Sequence, residues 1–138
     1  MGLDETMIAA GVGCRRGASA PDIEAAIRAA LARANIAADA LDVIATIETK
    51  RTEPGILAAA EKFGVSVVIV PEHELALASD RIETHSDRVL TLAGVGSVAE
   101  AAALGAAGPS ARLITPRLAI GPATCAIAAS ALASGAAR

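Results

Sequence analysis

Two adjacent arginines sit between glycines in the run Gly11-Val12-Gly13-Cys14-Arg15-Arg16-Gly17. Glycine lets the backbone take positive φ and lets a ligand come close. Arginine supplies a planar, permanently charged fork that suits a carboxylate or a phosphate. Ser19 then opens a helical pattern, and the exposed N–H groups of a helix N-terminus attract anions. Gly13, Cys14, Arg15 and Arg16 are therefore candidate anion-binding residues. The plain alternative is a tight turn with two solvated arginines. Cys14, beside cations and a helix N-terminus, is expected to have a lowered thiol pKa, which makes it a candidate nucleophile. Its plain alternative is a small residue packed in a loop. The spacing is GxGxxxG and Glu48 comes too late, so the match to a dinucleotide fingerprint is poor. No Lys-Ser/Thr pair closes a Walker loop.

Two further loops carry candidates. Lys50 and Glu53 lie in the polar stretch Glu48-Thr49-Lys50-Arg51-Thr52-Glu53. A lysine just past a strand end can bind an anion, and the carboxylate can fix its position; the alternative is a surface ion pair worth little. Gly96-Ser97-Val98-Ala99-Glu100 has the spacing of a capping box, and its N–H groups can also hold a ligand carboxylate. Glu53 and Glu100 are the candidate bases, with Cys14 the candidate nucleophile. Cys125 lies on an apolar run and reads as core. Cys14, Cys125, His73 and His85 fit no metal-ligand spacing, so no metal and no cofactor is expected.

The elements that must position these residues follow from periodicity. Met7 to Val12 reads as a buried strand that stops at Gly13. Ser19 and Pro21 start a helix whose apolar positions are Ile23, Ala26, Ile27, Ala30, Leu31 and Ala34, with Asn35 as its stop. Val43 to Ile47 is the second strand. Thr52 is the expected cap of a helix ending at Gly64, with Ile56, Leu57, Ala60 and Phe63 on its buried face. Val65 to Val70 is the third strand, and a short helix is expected over Glu72 to Ala78. Ser79 to Leu92 is polar over most of its length and has no clear assignment. Ser97 opens a helix that ends at Gly108. Arg112 to Thr115 and Ala123 to Ala128 read as an antiparallel pair joined through a Pro116–Pro122 turn region. The tail after Ser130 is expected to fray. Strands alternating with helices imply a parallel sheet. The expected fold is one α/β domain over residues 1–138. Three layers are expected, with a mostly parallel sheet, an antiparallel C-terminal strand pair and helices on both faces.

Composition narrows the function classes. Hydrophobic residues make up 54% of the 138 and charged residues 20%, which is a folding composition. Phe63 is the only aromatic residue, so a site built on aromatic stacking is excluded. A net charge of −3 gives no global field for nucleic acid. No apolar stretch approaches a membrane span, and no basic segment precedes an apolar run as in a secretory leader. The expected compartment is the cytoplasm.

Four motifs in order carry a resemblance. They are Gly11 to Gly17, Lys50-Arg51-Thr52-Glu53-Pro54-Gly55, the run Gly94 to Leu104, and Ala123-Thr124-Cys125-Ala126-Ile127-Ala128. Together they resemble the CobE family, the module that also forms the C-terminal domain of CbiG proteins of cobalamin biosynthesis. The resemblance runs from about Ile8 to Ala129. Arg117 stands where the family often has a lysine, and Cys125 where it usually has a valine. The resemblance implies a role in building the corrin ring. CbiG proteins open a lactone on a cobalt-containing precorrin and release acetaldehyde. The implied partner is a corrinoid or precorrin intermediate, a polycarboxylate. It would be bound at a mouth formed by Gly13, Cys14, Arg15, Arg16, Lys50, Glu53, Gly96, Ser97, Glu100 and Arg117. An accessory or carrier protein is the leading expectation, a lactone-opening hydrolase the alternative, and docking onto other pathway enzymes a third. Nucleic acid and membrane are not expected partners.

Overall fold

The computed structural model describes residues 7–71, 98–108 and 111–130. Strand β1 (Ile8–Cys14) leads to helix α1 (Ala20–Arg33), β2 (Val43–Ile47), α2 (Pro54–Phe63) and β3 (Ser66–Val70). Helix α3 (Val98–Ala107), β4 (Arg112–Ile120) and β5 (Ala123–Ala129) follow. The strands form a single sheet in the order β3-β2-β1-β5-β4. β1, β2 and β3 are parallel, while β5 runs antiparallel to both β1 and β4. The expected α/β fold, with an antiparallel C-terminal pair on a parallel sheet, is the one observed.

Side-chain alternation assigns the two faces. Ala10, Val12, Ile44, Cys125 and Ile127 pack with the apolar faces of α1 and α2. Ala9, Ala45 and Ala128 face α3 with its Ala101, Ala102, Ala103 and Leu104. Helices therefore cover both faces. Alanine dominates the buried residues on the α3 side, and glycine faces the helix at Gly11, so that helix lies very close to the sheet. A Cβ at Gly11 would run into the Ala99 carbonyl oxygen and sit 2.6 Å from the Ala103 backbone nitrogen.

That closeness corrects the reading of the first motif. β1 continues through Gly11 and Gly13 to Cys14, paired with β5 from Ile8↔Ala129 to Cys14↔Ala123. The glycines that suggested a loop lie within a central strand, where a side chain at Gly11 would collide with α3. The turn begins at Arg15.

Helix α1 follows its sequence pattern. Ser19 is the N-cap, its hydroxyl accepting from the Asp22 N–H at 3.3 Å. Ile23, Ala26, Ile27, Ala30 and Leu31 are buried, and Asn35 takes the left-handed conformation just past the end (φ 60°). Helix α2 differs from expectation in two respects. Glu53, not Thr52, is its N-cap residue. Its buried residues are Gly55, Ile56, Ala59 and Ala60, while Leu57 is 47% exposed. Phe63 is half-buried and holds the Arg28 guanidinium 4.9 Å from its ring centroid, a cation–π contact between α2 and α1.

β4 is longer than expected. It runs through Pro116 to Ile120, and the turn to β5 is only Gly121-Pro122. Proline is tolerated because β4 is the last strand of the sheet order and carries register shifts around Thr115. Two buried hydroxyls are satisfied by backbone carbonyls, the first between neighbouring strands and the second between sheet and helix. Thr46 donates to the Val12 carbonyl at 2.9 Å, and Thr115 donates to the Ala30 carbonyl at 3.1 Å. The expected helix at Glu72–Ala78, the Ser79–Leu92 segment, Gly96, Ser97 and the tail after Ser130 lie outside the described residues. No described helix is long and apolar enough to cross a membrane.

Candidate functional site

The carboxyl ends of β1 and β2 open onto a cavity of about 420 Å³. Gly13 and Cys14 line it from β1, Arg15 from the turn that follows, and Ile47 and Lys50 from the end of β2. Val98 at the start of α3 closes one wall; Gly121, Pro122 and Thr124 of the β4–β5 hairpin close the other. This is the crevice an open α/β sheet offers to ligands, outside the strand ends and beside the strand where the chain direction switches. The short connection after β2 is a single 3₁₀ turn, Glu48–Lys50, which brings Lys50 to the cavity while leaving Glu48 exposed. Arg51 and Glu48 form an exposed ion pair at 2.8 Å.

Backbone and side-chain bonds hold the rim. The Arg15 N–H donates to the Pro122 carbonyl at 3.0 Å, and the Ala18 N–H donates to the Arg15 carbonyl at 3.0 Å. Thr124 Oγ1 donates to the Gly13 carbonyl at 3.3 Å. The Glu53 carboxylate accepts from the Gly17 N–H at 3.0 Å.

The structure brings some of the sequence candidates together. Gly13, Cys14, Arg15 and Lys50 all line the cavity. Arg16 and Arg117 are exposed and are not among its lining residues, and neither are Glu53 and Glu100. Arg117 belongs to β4, not to a strand-end loop. Glu100 is fully buried, and its carboxylate accepts from the Arg117 backbone N–H at 2.9 Å. Sequence reasoning missed Ile47, Val98, Thr124 and the Gly121-Pro122 turn as cavity residues. The available signal was the antiparallel pairing of the last strand with the first, which places Thr124 opposite Gly13. That pairing spans 111 residues and leaves no local trace.

The chemistry of Cys14 is also revised. Burial pushes its thiol up, Lys50 pulls it down and Glu53 pushes it up, and the net shift is upward. Desolvation outweighs the cation expected to lower it. Cys125 is fully buried, and burial pushes its thiol up far more strongly. Among the described residues no group of three or more His, Cys, Asp or Glu is placed to hold a metal ion. A direct test follows from the balance at Cys14. Lys50→Met removes the group that favours the thiolate, so the midpoint of the pH profile for Cys14 alkylation by iodoacetamide moves upward. The rate at pH 8 should fall, with Cys125 too buried to contribute. A faster rate would show that Lys50 does not act on Cys14 electrostatically.

The architecture is that of a mixed α/β domain with a cleft, lined by Arg15 and Lys50, at the carboxyl ends of its parallel strands. Residues 8–128 match the family described as cobalamin synthesis G C-terminus. Protein CobE from Sinorhizobium sp is 36% identical over 118 residues, which is 86% of this chain and 77% of that protein. The cobalt-precorrin-5A hydrolase of Priestia megaterium is 37% identical over 98 residues, 71% of this chain. The chain spans only 26% of that hydrolase. The crystal structure of CobE, a protein from the cobalamin biosynthetic pathway, superposes with a TM-score of 0.83 at 32% identity, covering 91% of both chains. The chain belongs to the CobE and CbiG C-terminal family, and it is a cobalamin biosynthesis protein of that type.

Proposed function

We propose that the chain binds a polycarboxylate corrin intermediate at the β1–β2 cavity and serves cobalamin biosynthesis as an accessory or carrier protein. One observation carries this reading. Among the described residues the cavity is lined by Arg15 and Lys50 and by no aspartate or glutamate, in a chain whose net charge is −3. Precorrins are ringed by acetate and propionate arms. Charge-assisted hydrogen bonds from arginine or lysine to such arms are about twice as strong as neutral ones. Beside the Cys14 thiol and the Thr124 hydroxyl, the rest of the lining is backbone and aliphatic surface from Gly13, Ile47, Val98, Gly121 and Pro122. It suits the edge of a macrocycle without aromatic stacking.

A second reading is a lactone-opening hydrolase acting on a precorrin. Its support is the likeness to the cobalt-precorrin-5A hydrolase, over a quarter of that protein. The side chains lining the cavity favour binding over this chemistry. Burial pushes the Cys14 thiol up, away from the thiolate a nucleophile needs, and neither Glu53 nor Glu100 lines the cavity. Incubating the purified protein with a precorrin lactone separates the two. A shift in the visible spectrum with no new product is expected. Stoichiometric release of acetaldehyde would establish the hydrolase instead.

A further inference from the structure

We infer that Glu53 is a positioning residue whose carboxylate latches the β1–α1 turn, so that Arg15 stands at the rim of the cavity. The inference rests on the reading of that cavity as an anion site. Glu53 occupies the N-cap of α2, a position that favours the short side chains of Ser, Thr, Asp and Asn. It makes no side-chain cap bond there. The carboxylate instead leaves its own helix and accepts from the Gly17 N–H at 3.0 Å, across 36 residues of sequence.

The bond falls at the point where the turn reverses. Gly17 has φ +79°, the left-handed region that glycine enters without strain. The same turn is tied on its other side, where the Arg15 N–H donates to the Pro122 carbonyl at 3.0 Å. Arg15 is thus clamped between the β4–β5 hairpin and the start of α2. Contact between α2 and the turn is direct. A Cβ at Gly55 would run into the Ala18 carbonyl oxygen, so the residue two positions after Glu53 abuts the residue just after Gly17.

Charge supports the same assignment. A carboxylate facing a polyanion would repel it, and among the described residues the cavity has no acidic lining residue. Glu53 is close enough to push the Cys14 thiol up, yet it stands outside the lining. It is near the site and turned to the backbone behind it. A glutamate here therefore orients a cation of the site without meeting the ligand.

The test compares Glu53→Ala with Glu53→Gln, whose amide oxygen can still accept from the Gly17 N–H. Amide hydrogen exchange at Gly17, followed by NMR in the free protein, reads the latch itself. Titration with hydrogenobyrinic acid, a corrin polycarboxylate, reads its effect on the site. Glu53→Ala should speed Gly17 exchange and weaken the probe by about three- to tenfold, the range of one lost hydrogen bond. Glu53→Gln should recover most of both. Unchanged Gly17 exchange in Glu53→Ala would overturn the latch. So would a Glu53→Gln variant that keeps Gly17 protected but loses the probe as fully as alanine does, because the charge would then act on the ligand directly. If the wild type fails to bind the probe while exchange follows the expected pattern, the corrinoid reading fails and the latch stands.

Discussion

Gly11→Ala is expected to destabilise the protein by about 3 kcal/mol or more, and Gly11→Val to leave no cooperative fold. The added Cβ cannot be absorbed by a side-chain rotation, because what it meets is backbone. It would collide with the Ala99 carbonyl oxygen and approach the Ala103 nitrogen to 2.6 Å and the Ala103 Cβ to 3.0 Å. Either α3 must lift from the sheet or β1 must bend away from β5, with which it pairs along its whole length. Lifting α3 would open packing around Ala99, Ala101, Ala102, Ala103 and Leu104, none of them more than 1% exposed. Small side chains leave no slack, since there is little volume to rearrange. Urea denaturation followed by far-UV circular dichroism measures the loss. A Gly11→Ala midpoint equal to the wild type would mean that α3 does not lie against β1 as described.

Glu100→Ala should cost about 2–3 kcal/mol, whereas Glu100→Gln should cost about 1 kcal/mol or less. The carboxylate is fully buried and accepts from the Arg117 N–H at 2.9 Å. Arg117 lies where β4 loses register with β5, between Thr115 and Leu118, so its N–H has an acceptor from α3 in place of one from a regular ladder. Alanine removes that acceptor and leaves a void where the side chain was. Glutamine keeps an oxygen in the same place. The pair of variants separates a hydrogen-bonding role from a charge role. If glutamine proves as costly as alanine in thermal unfolding, the negative charge itself is what α3 requires.

Local signals are legible in this sequence, and contacts between distant segments are not. β2 was legible because a short β-branched and alanine run between polar segments has one interpretation, and Val43–Ile47 is the strand observed. Helix α1 was legible because Ser19, Pro21 and the apolar period agree with one another. The glycines of β1 misled, since glycine marks both a loop and a place where another element comes close. Only the packing of α3 tells the two apart. Leu57 reads as core because it is an apolar residue inside a helical period, yet it lies on the exposed side of α2. In the fold, the small residues Gly55 and Ala59 make the close contact instead.

Of the candidate site, Gly13, Cys14, Arg15 and Lys50 were legible from residue type and from position after a strand. The hairpin wall was not. Gly121, Pro122 and Thr124 join the cavity through strand pairing between opposite ends of the chain, and nothing in their local sequence announces it. Glu53 and Glu100 read from the sequence as candidate bases, Glu53 also as a partner for Lys50 and Glu100 as part of a capping box, whereas the structure shows them accepting from the Gly17 and Arg117 backbone N–H groups. A side-chain pattern carries no record of those bonds.

The central claim is that Arg15 and Lys50 hold the carboxylates of a corrin ligand. It is tested most directly by titrating hydrogenobyrinic acid into the wild type, Arg15→Ala, Lys50→Ala and the control Arg33→Ala. Arg33 is exposed in the last turn of α1, at the end opposite the cavity. Each site variant should bind about tenfold more weakly or worse, as expected for one lost charge-assisted hydrogen bond of about 1.5–3 kcal/mol. Arg33→Ala should match the wild type. Added salt should weaken the wild type more than the site variants, because the charges that attract the ligand are screened. Equal affinities for all four proteins would contradict the account and move the ligand away from the β1–β2 cavity.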